Sequence, residues 1–190
     1  AMSGMGSSSS FTVGLLHALH ALQGRMVSKH QLALDAIHIE QDRAAENVGS
    51  QDQTAAAFGG LNRIEFKGDH VISVHPIIMK IDRLKELEEN LMLFFTGFQR
   101  TASEVVEEQI RNIPQRDKEL RTMCDLADEA VSILSNENRP VDDFGRLLHE
   151  TWRIKKSLSS KISNPAIDEI YDTGISAGAL GGIFPGVVDG

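Results

Sequence analysis

The sequence predicts an α+β protein, a small antiparallel sheet set among helices. Three observations carry this. The opening Gly4-Met5-Gly6-Ser7-Ser8-Ser9-Ser10 leads straight into a run with helical apolar spacing. Two alternating stretches, residues 61–66 and 70–77, flank Lys67-Gly68-Asp69 and form a hairpin pattern. The rest of the chain is dominated by 3.6-residue periodicity.

The first helix is expected over residues 8–22, with Phe11, Leu15, Leu19 and Leu22 as its apolar face and Gln23-Gly24 as its stop. Two glycines and several serines before a helix make a ready anion site, because amide N–H groups converge there and the macrodipole adds favourable partial charge. It is not a Walker loop: no Gly-Lys-Ser/Thr is present, and the first lysine is Lys29. A flexible Gly/Ser leader is the bland alternative.

Ser28 caps a second helix running to about residue 45. Within it, Glu40 shares a stripe with Ala33, Ala36, Ile37 and Ala44. Burying an unpaired carboxylate is costly, so its head either reaches water or faces a cation. Ser50-Gln51-Asp52-Gln53 fits a capping box, with Ser50 as cap and Gln53 as return partner. Asp52 then lies in the first turn of an alanine-rich helix that Gly59-Gly60 ends. An aspartate suits that place electrostatically, and an ionised one there can accept or orient a hydroxyl proton.

Beyond the hairpin, Ile81, Leu84 and Leu87 mark a helix, and Leu91-Met92-Leu93-Phe94-Phe95 is expected as a short buried strand. Thr96-Gly97 turns into a helix carrying Val105, Val106 and Ile110, ended by Pro114. Helices follow over residues 115–135, through Phe144, Leu147, Leu148 and Trp152 to about 158, and over 165–171 with Pro165 at its first position.

Composition narrows the function. The chain has 190 residues, 41% hydrophobic, a net charge of −8 and no basic run, which disfavours nucleic acid and anionic membrane as partners. A lone Cys124 excludes an internal disulfide and a thiolate zinc cluster. His17 and His20 share a helix face without a third ligand beside them. With no spanning apolar run and no signal-peptide pattern, a cytoplasmic location is expected.

Taken in order, the motifs resemble those of the GHMP sugar kinases. Gly4-Met5-Gly6-Ser7-Ser8-Ser9 looks like the family's second motif, Gly-Leu-Gly-Ser-Ser and a small residue. Gly49 through Asn62, with Gln51, Asp52, Gly59 and Gly60, is similar to the sugar-1-kinase branch and to heptose 7-phosphate kinases in particular, as are Phe95 through Arg100 and Asn164 through Gly182. The resemblance implies a two-domain α+β fold: residues 1–85 would belong to a ribosomal-S5-like nucleotide- and substrate-binding part, and 86–190 to a ferredoxin-like, helix-rich part. It implies ATP and magnesium as cofactors. Gly4, Met5, Gly6, Ser7, Ser8 and Ser9 would bind nucleotide, Ser8 (with Ser7 as competitor) and Glu40 the metal, and Asp52 would be the base. Gln51, Gly59, Gly60 and Arg100 would line the sugar or its phosphate.

The third motif departs from the family: Gly181-Gly182 is followed by Ile183-Phe184-Pro185, where Gly-Gly-Lys-Leu is usual. The first motif has no counterpart, so a fragment incomplete at both ends is expected, with homodimerisation through exposed sheet edges. The implied reaction is transfer of the γ-phosphate of ATP to the anomeric hydroxyl of a sugar, a heptose 7-phosphate first. A fucokinase- or galactokinase-like enzyme, or a kinase fragment that folds without catalysing, are the alternatives.

Overall fold

The structure, a computed structural model, describes residues 6–46, 48–68, 71–94 and 115–184. These fall into two compact units divided between Pro76 and Ile77. Gly4, Met5 and Arg100, and the expected helix carrying Val105, Val106 and Ile110, lie outside the described residues.

In the first unit, α1 (Ser7–Leu22) and α2 (Lys29–Ile37) are followed by a π-helical segment, His38–Arg43, then α3 (Gln51–Phe58) and a hairpin of β1 (Asn62–Lys67) and β2 (Val71–Pro76). Ser28 caps α2 as its sequence requires, its Oγ accepting from the Gln31 N–H at 3.1 Å. Val13, Leu32 and Ala36 form the buried core, with Leu16, Val27 and Ala57 packed around them. The hairpin is antiparallel and registers Asn62 with Pro76 and Lys67 with Val71.

The buried face of α1 corrects the expected one. Phe11, Leu15, Leu19 and Leu22 are 69%, 47%, 45% and 84% exposed, while Ser9 and Val13 are buried. Helices α2 and α3 pack on the Ser9–Val13–Leu16 side, one helical face round from the larger side chains. The stripe of larger apolar residues is not the one that packs; the packed face carries Val13 and Leu16 together with Ser9, whose hydroxyl donates to Glu40.

The second unit contains α4 (Ile81–Glu89), α5 (Asp117–Ser135), α6 (Asp142–Leu158) and α7 (Pro165–Ser176). Leu87, Leu134 and Val141 make one core cluster. Arg83, almost wholly buried, donates from Nη2 to the Ile133 carbonyl at 2.9 Å and so satisfies an orphan acceptor in the last turn of α5. Asn164 caps α7 by accepting from the Ile167 N–H at 2.8 Å, with Pro165 at the first turn.

Two expectations fail in this unit. Residues 91–94 form no strand, and Leu91, Met92, Leu93 and Phe94 are exposed. A short apolar run needs a strand to pair with, and β1–β2 is the only sheet among the described residues. Helix α7 runs on to Ser176, taking Gly174 into its last turn, and gives way at Gly178, whose φ is 106°. The glycine-rich segment then packs on α6: a β-carbon on Gly145 would lie 2.9 Å from Leu180 Cβ, and one on Gly181 would collide with the Gly145 carbonyl. Close approach, not loop flexibility, explains those two glycines.

Candidate active site

Of the sequence-predicted residues of the first unit, Gly6, Ser9, Glu40 and Asp52 converge on the N-terminus of α1. Gly6 is its N-cap, with φ 63° and ψ 29°, and the Gly6 carbonyl accepts the Ser10 N–H at 2.9 Å. A left-handed backbone at a helix N-cap is unusual and suits glycine. Space makes the same demand. A β-carbon on Gly6 would sit 2.8 Å from Asp52 Oδ2 and 2.9 Å from its Cγ. The serine-rich turn and the half-buried Asp52 carboxylate are therefore in contact, brought together from positions far apart in the chain by the packing of α1 on α3.

Glu40 stands behind this contact. It is 4% exposed, on the stripe of Ala33, Ala36 and Ile37, all buried. Its carboxylate does not reach water; it is met by three donors. Ser9 Oγ donates to Oε2 at 2.8 Å, Thr12 Oγ1 to Oε1 at 2.8 Å, and the Gln53 side-chain amide to Oε2. Such charge-assisted bonds compensate for the lost hydration. Ala44 is exposed, contrary to the simple helical stripe, because Glu40 lies in the π-helical segment and the Ala44 N–H reaches back to the Ile39 carbonyl at 2.9 Å. That wider turn shifts every later side chain round the axis; π segments of this kind recur at functional sites. Periodicity at 3.6 residues carries no sign of it.

The predicted capping box does not form. Ser50 makes no side-chain cap bond; its hydroxyl instead accepts from Gln41 Nε2 at 3.3 Å, and its carbonyl accepts from Thr54 Oγ1 at 2.7 Å. Gln53, the expected return partner, is fully buried and turned to Glu40. A buried carboxylate draws a donor more strongly than an exposed helix end does. Gln53 Oε1 accepts no hydrogen bond from a described group, a cost of about 1–3 kcal/mol for an orphaned buried acceptor.

The remaining sequence-selected residues are dispersed. Ser7 and Ser8 are exposed on the first turn of α1, so the hydroxyl that meets Glu40 is that of Ser9, not Ser8. Gln51 is exposed at the start of α3, and Gly59 and Gly60 are exposed at its end, where the Gly59 N–H closes on the Ala55 carbonyl at 2.9 Å. Thr12 and Gln53 were not singled out as site residues. Thr12 lies one turn after Ser8 on α1, a spacing that could have found it; Gln53 was hidden by its fit to a cap.

Among the described residues no group of three or more His, Cys, Asp and Glu side chains could hold a metal by itself. Glu40 and the hydroxyls of Ser9 and Thr12 are oxygen groups of the kind magnesium takes, with the Gln53 amide N–H as a neighbour that is no ligand, and magnesium needs only one or two protein oxygens when phosphates and water supply the rest. The residues fit that ion. A cavity of about 370 Å³ also opens between α1, α2 and α3, lined by Val13, Gly14, His17, Lys29, Leu32 and Ala57 among others.

Residues 1–60 match the family profile described as GHMP kinases N terminal domain. The chain is 32% identical over 183 residues to D-glycero-alpha-D-manno-heptose 7-phosphate kinase of Campylobacter jejuni, covering 95% of this chain and 53% of that protein. It is 26% identical over 176 residues to the bifunctional fucokinase/GDP-fucose pyrophosphorylase of Arabidopsis thaliana, covering 90% of this chain and 16% of that protein. Among solved structures, a D-glycero-D-manno-heptose 1-phosphate kinase from Bacteroides thetaiotaomicron superposes with a TM-score of 0.69 at 30% identity, over 98% of this chain and 51% of that one. The chain thus spans about half the length, or less, of the relatives it matches.

Proposed function

We infer that this chain, whose residues 1–60 match the GHMP kinases N terminal domain profile, is part of an ATP-dependent sugar kinase and carries its phosphate-transfer residues. The single observation that supports this best is the approach of Asp52 to Gly6, which sets a carboxylate against a helix N-terminus suited to phosphate.

In this reading, first-turn amides of α1 bind nucleotide phosphate oxygens, together with Gly4, Met5 and the serines after Gly6. Glu40 and Ser9 would hold a magnesium ion, with Ser8 exposed on the same turn, and the ion would offset the charge of the phosphates. Asp52 orients the acceptor hydroxyl and takes its proton. The hydroxyl oxygen forms a bond to the γ-phosphorus, the bond from that phosphorus to the β–γ bridging oxygen breaks, and ADP leaves. Transfer of this kind depends mainly on positioning and charge, and a small constellation suffices. We place the acceptor at the anomeric hydroxyl of a sugar phosphate, a heptose 7-phosphate first, with Gln51, Gly59, Gly60 and Arg100 on the sugar side. A fucose-type acceptor is the second reading, supported by the fucokinase relative.

Calorimetry with magnesium and a non-hydrolysable ATP analogue tests this on the chain, Gly6→Val and Asp52→Asn. The parent and Asp52→Asn should bind within about threefold of each other, since Asp52 serves the acceptor. Gly6→Val should not bind, because its side chain would enter the space of Asp52 and strain the turn. No binding by the parent overturns the reading.

A further inference from the structure

We propose that Gln53 is a positioning residue, which sets the Glu40 carboxylate for a divalent cation and ties it to Asp52, its neighbour on α3. This rests on the kinase reading above and goes beyond it, because Gln53 touches neither nucleotide nor acceptor in that scheme.

The geometry around Glu40 carries the inference. Among the described residues, Ser9 and Gln53 both donate to Oε2, and Thr12 alone donates to Oε1. A carboxylate oxygen accepts about two hydrogen bonds. Oε2 is therefore filled by described donors, and Oε1 keeps one acceptor position that no described residue takes. Removing the Gln53 donor would free Oε2 and let the carboxylate rotate.

Gln53 itself is fully buried, and its Oε1 is left without a described partner. Turning the amide over would bring that oxygen against the carboxylate, so Glu40 dictates the orientation and the orphan follows from it. An apolar side chain of similar size would fill the space with no orphan. A glutamine there is accounted for by the need for an N–H directed at Glu40. Because Gln53 follows Asp52 directly, the bond also links the backbone that carries the base to the carboxylate that holds the metal. Ser9 and Thr12 add α1 to the same unit, and with it the turn that Asp52 touches.

The test uses manganese as the metal probe and ADP as the nucleotide, followed by calorimetry on the full chain. Gln53→Met keeps the volume and removes the donor; Gln53→Asn keeps the amide but withdraws it by one methylene, and serves if the methionine variant fails to fold. Manganese binding in the presence of ADP should weaken about tenfold, while ADP affinity measured without metal stays within about twofold. A lowered melting temperature with unchanged manganese affinity would make Gln53 a structural brace and overturn the proposal. A wild-type chain that binds no manganese with ADP overturns the kinase reading, and this one with it; that outcome is decided on the wild type alone.

Discussion

Gly6 and Glu40 illustrate how a single residue is constrained from two sides at once. At Gly6 the left-handed φ and the Asp52 carboxylate both exclude a β-carbon. At Glu40, burial would be prohibitive without donors, and Ser9, Thr12 and Gln53 supply them. Removing one donor leaves part of a buried charge unmet. Ser9→Ala should therefore cost about 1.5–3 kcal/mol of stability, read from denaturant midpoints; a loss within about 0.5 kcal/mol, as at a typical surface position, would mean that Glu40 finds water instead. Glu40 was legible as an anomaly, an acid on a small apolar stripe. Its partners were not, because serines at four consecutive positions look alike until helix rotation separates Ser9 from Ser8.

Elements differ in how much of their placement is local. The cap of α7 is local: Asn164 followed by proline specifies a helix start, and Asn164→Ala should lower stability by about 1 kcal/mol, checked by thermal unfolding. The next contact is not. Lys156 on α6 donates to Asp168 at 2.6 Å and Ser163 donates to the same oxygen at 2.6 Å, and these bonds, the lysine's first, hold the Asp168 carboxyl below its ordinary value of 3.8. A depressed carboxyl stabilises the fold above its unfolded pKa, and that contribution is lost as pH falls through the folded value. Below about pH 4 the wild type should thus lose stability more steeply than Lys156→Met, followed through Trp152, the sole tryptophan. Parallel acid profiles would sink the assignment. Helix α1 shows the reverse of a local rule. Its large apolar residues define a stripe, yet the stripe that packs is the one carrying Ser9 and Val13.

At the scale of the whole molecule, two units each build a separate core, and no described helix is long and apolar enough to cross a membrane. The hairpin is a two-stranded sheet whose outer edges pair with no described strand. We propose that the chain self-associates through such edges; light scattering during size exclusion should return the mass of a dimer, and a clean monomer would refute it. The sequence by itself determined the helix and hairpin positions wherever the signals were local, such as Ser28, Asn164-Pro165 and Gly59-Gly60. The ordered motifs, taken together, pointed to the family whose profile residues 1–60 match. Only the tertiary structure decided which face of α1 is buried, that a π turn carries Glu40, that Gln53 leaves its expected cap for a buried carboxylate, and that residues 91–94 pair with nothing described. Residues 91–94 lack a described strand to pair with, and around Glu40 a second physical reason acts. Local propensities differ by a few tenths of a kcal/mol, whereas meeting or orphaning a buried charge is worth several, and that choice exists only once distant segments have met.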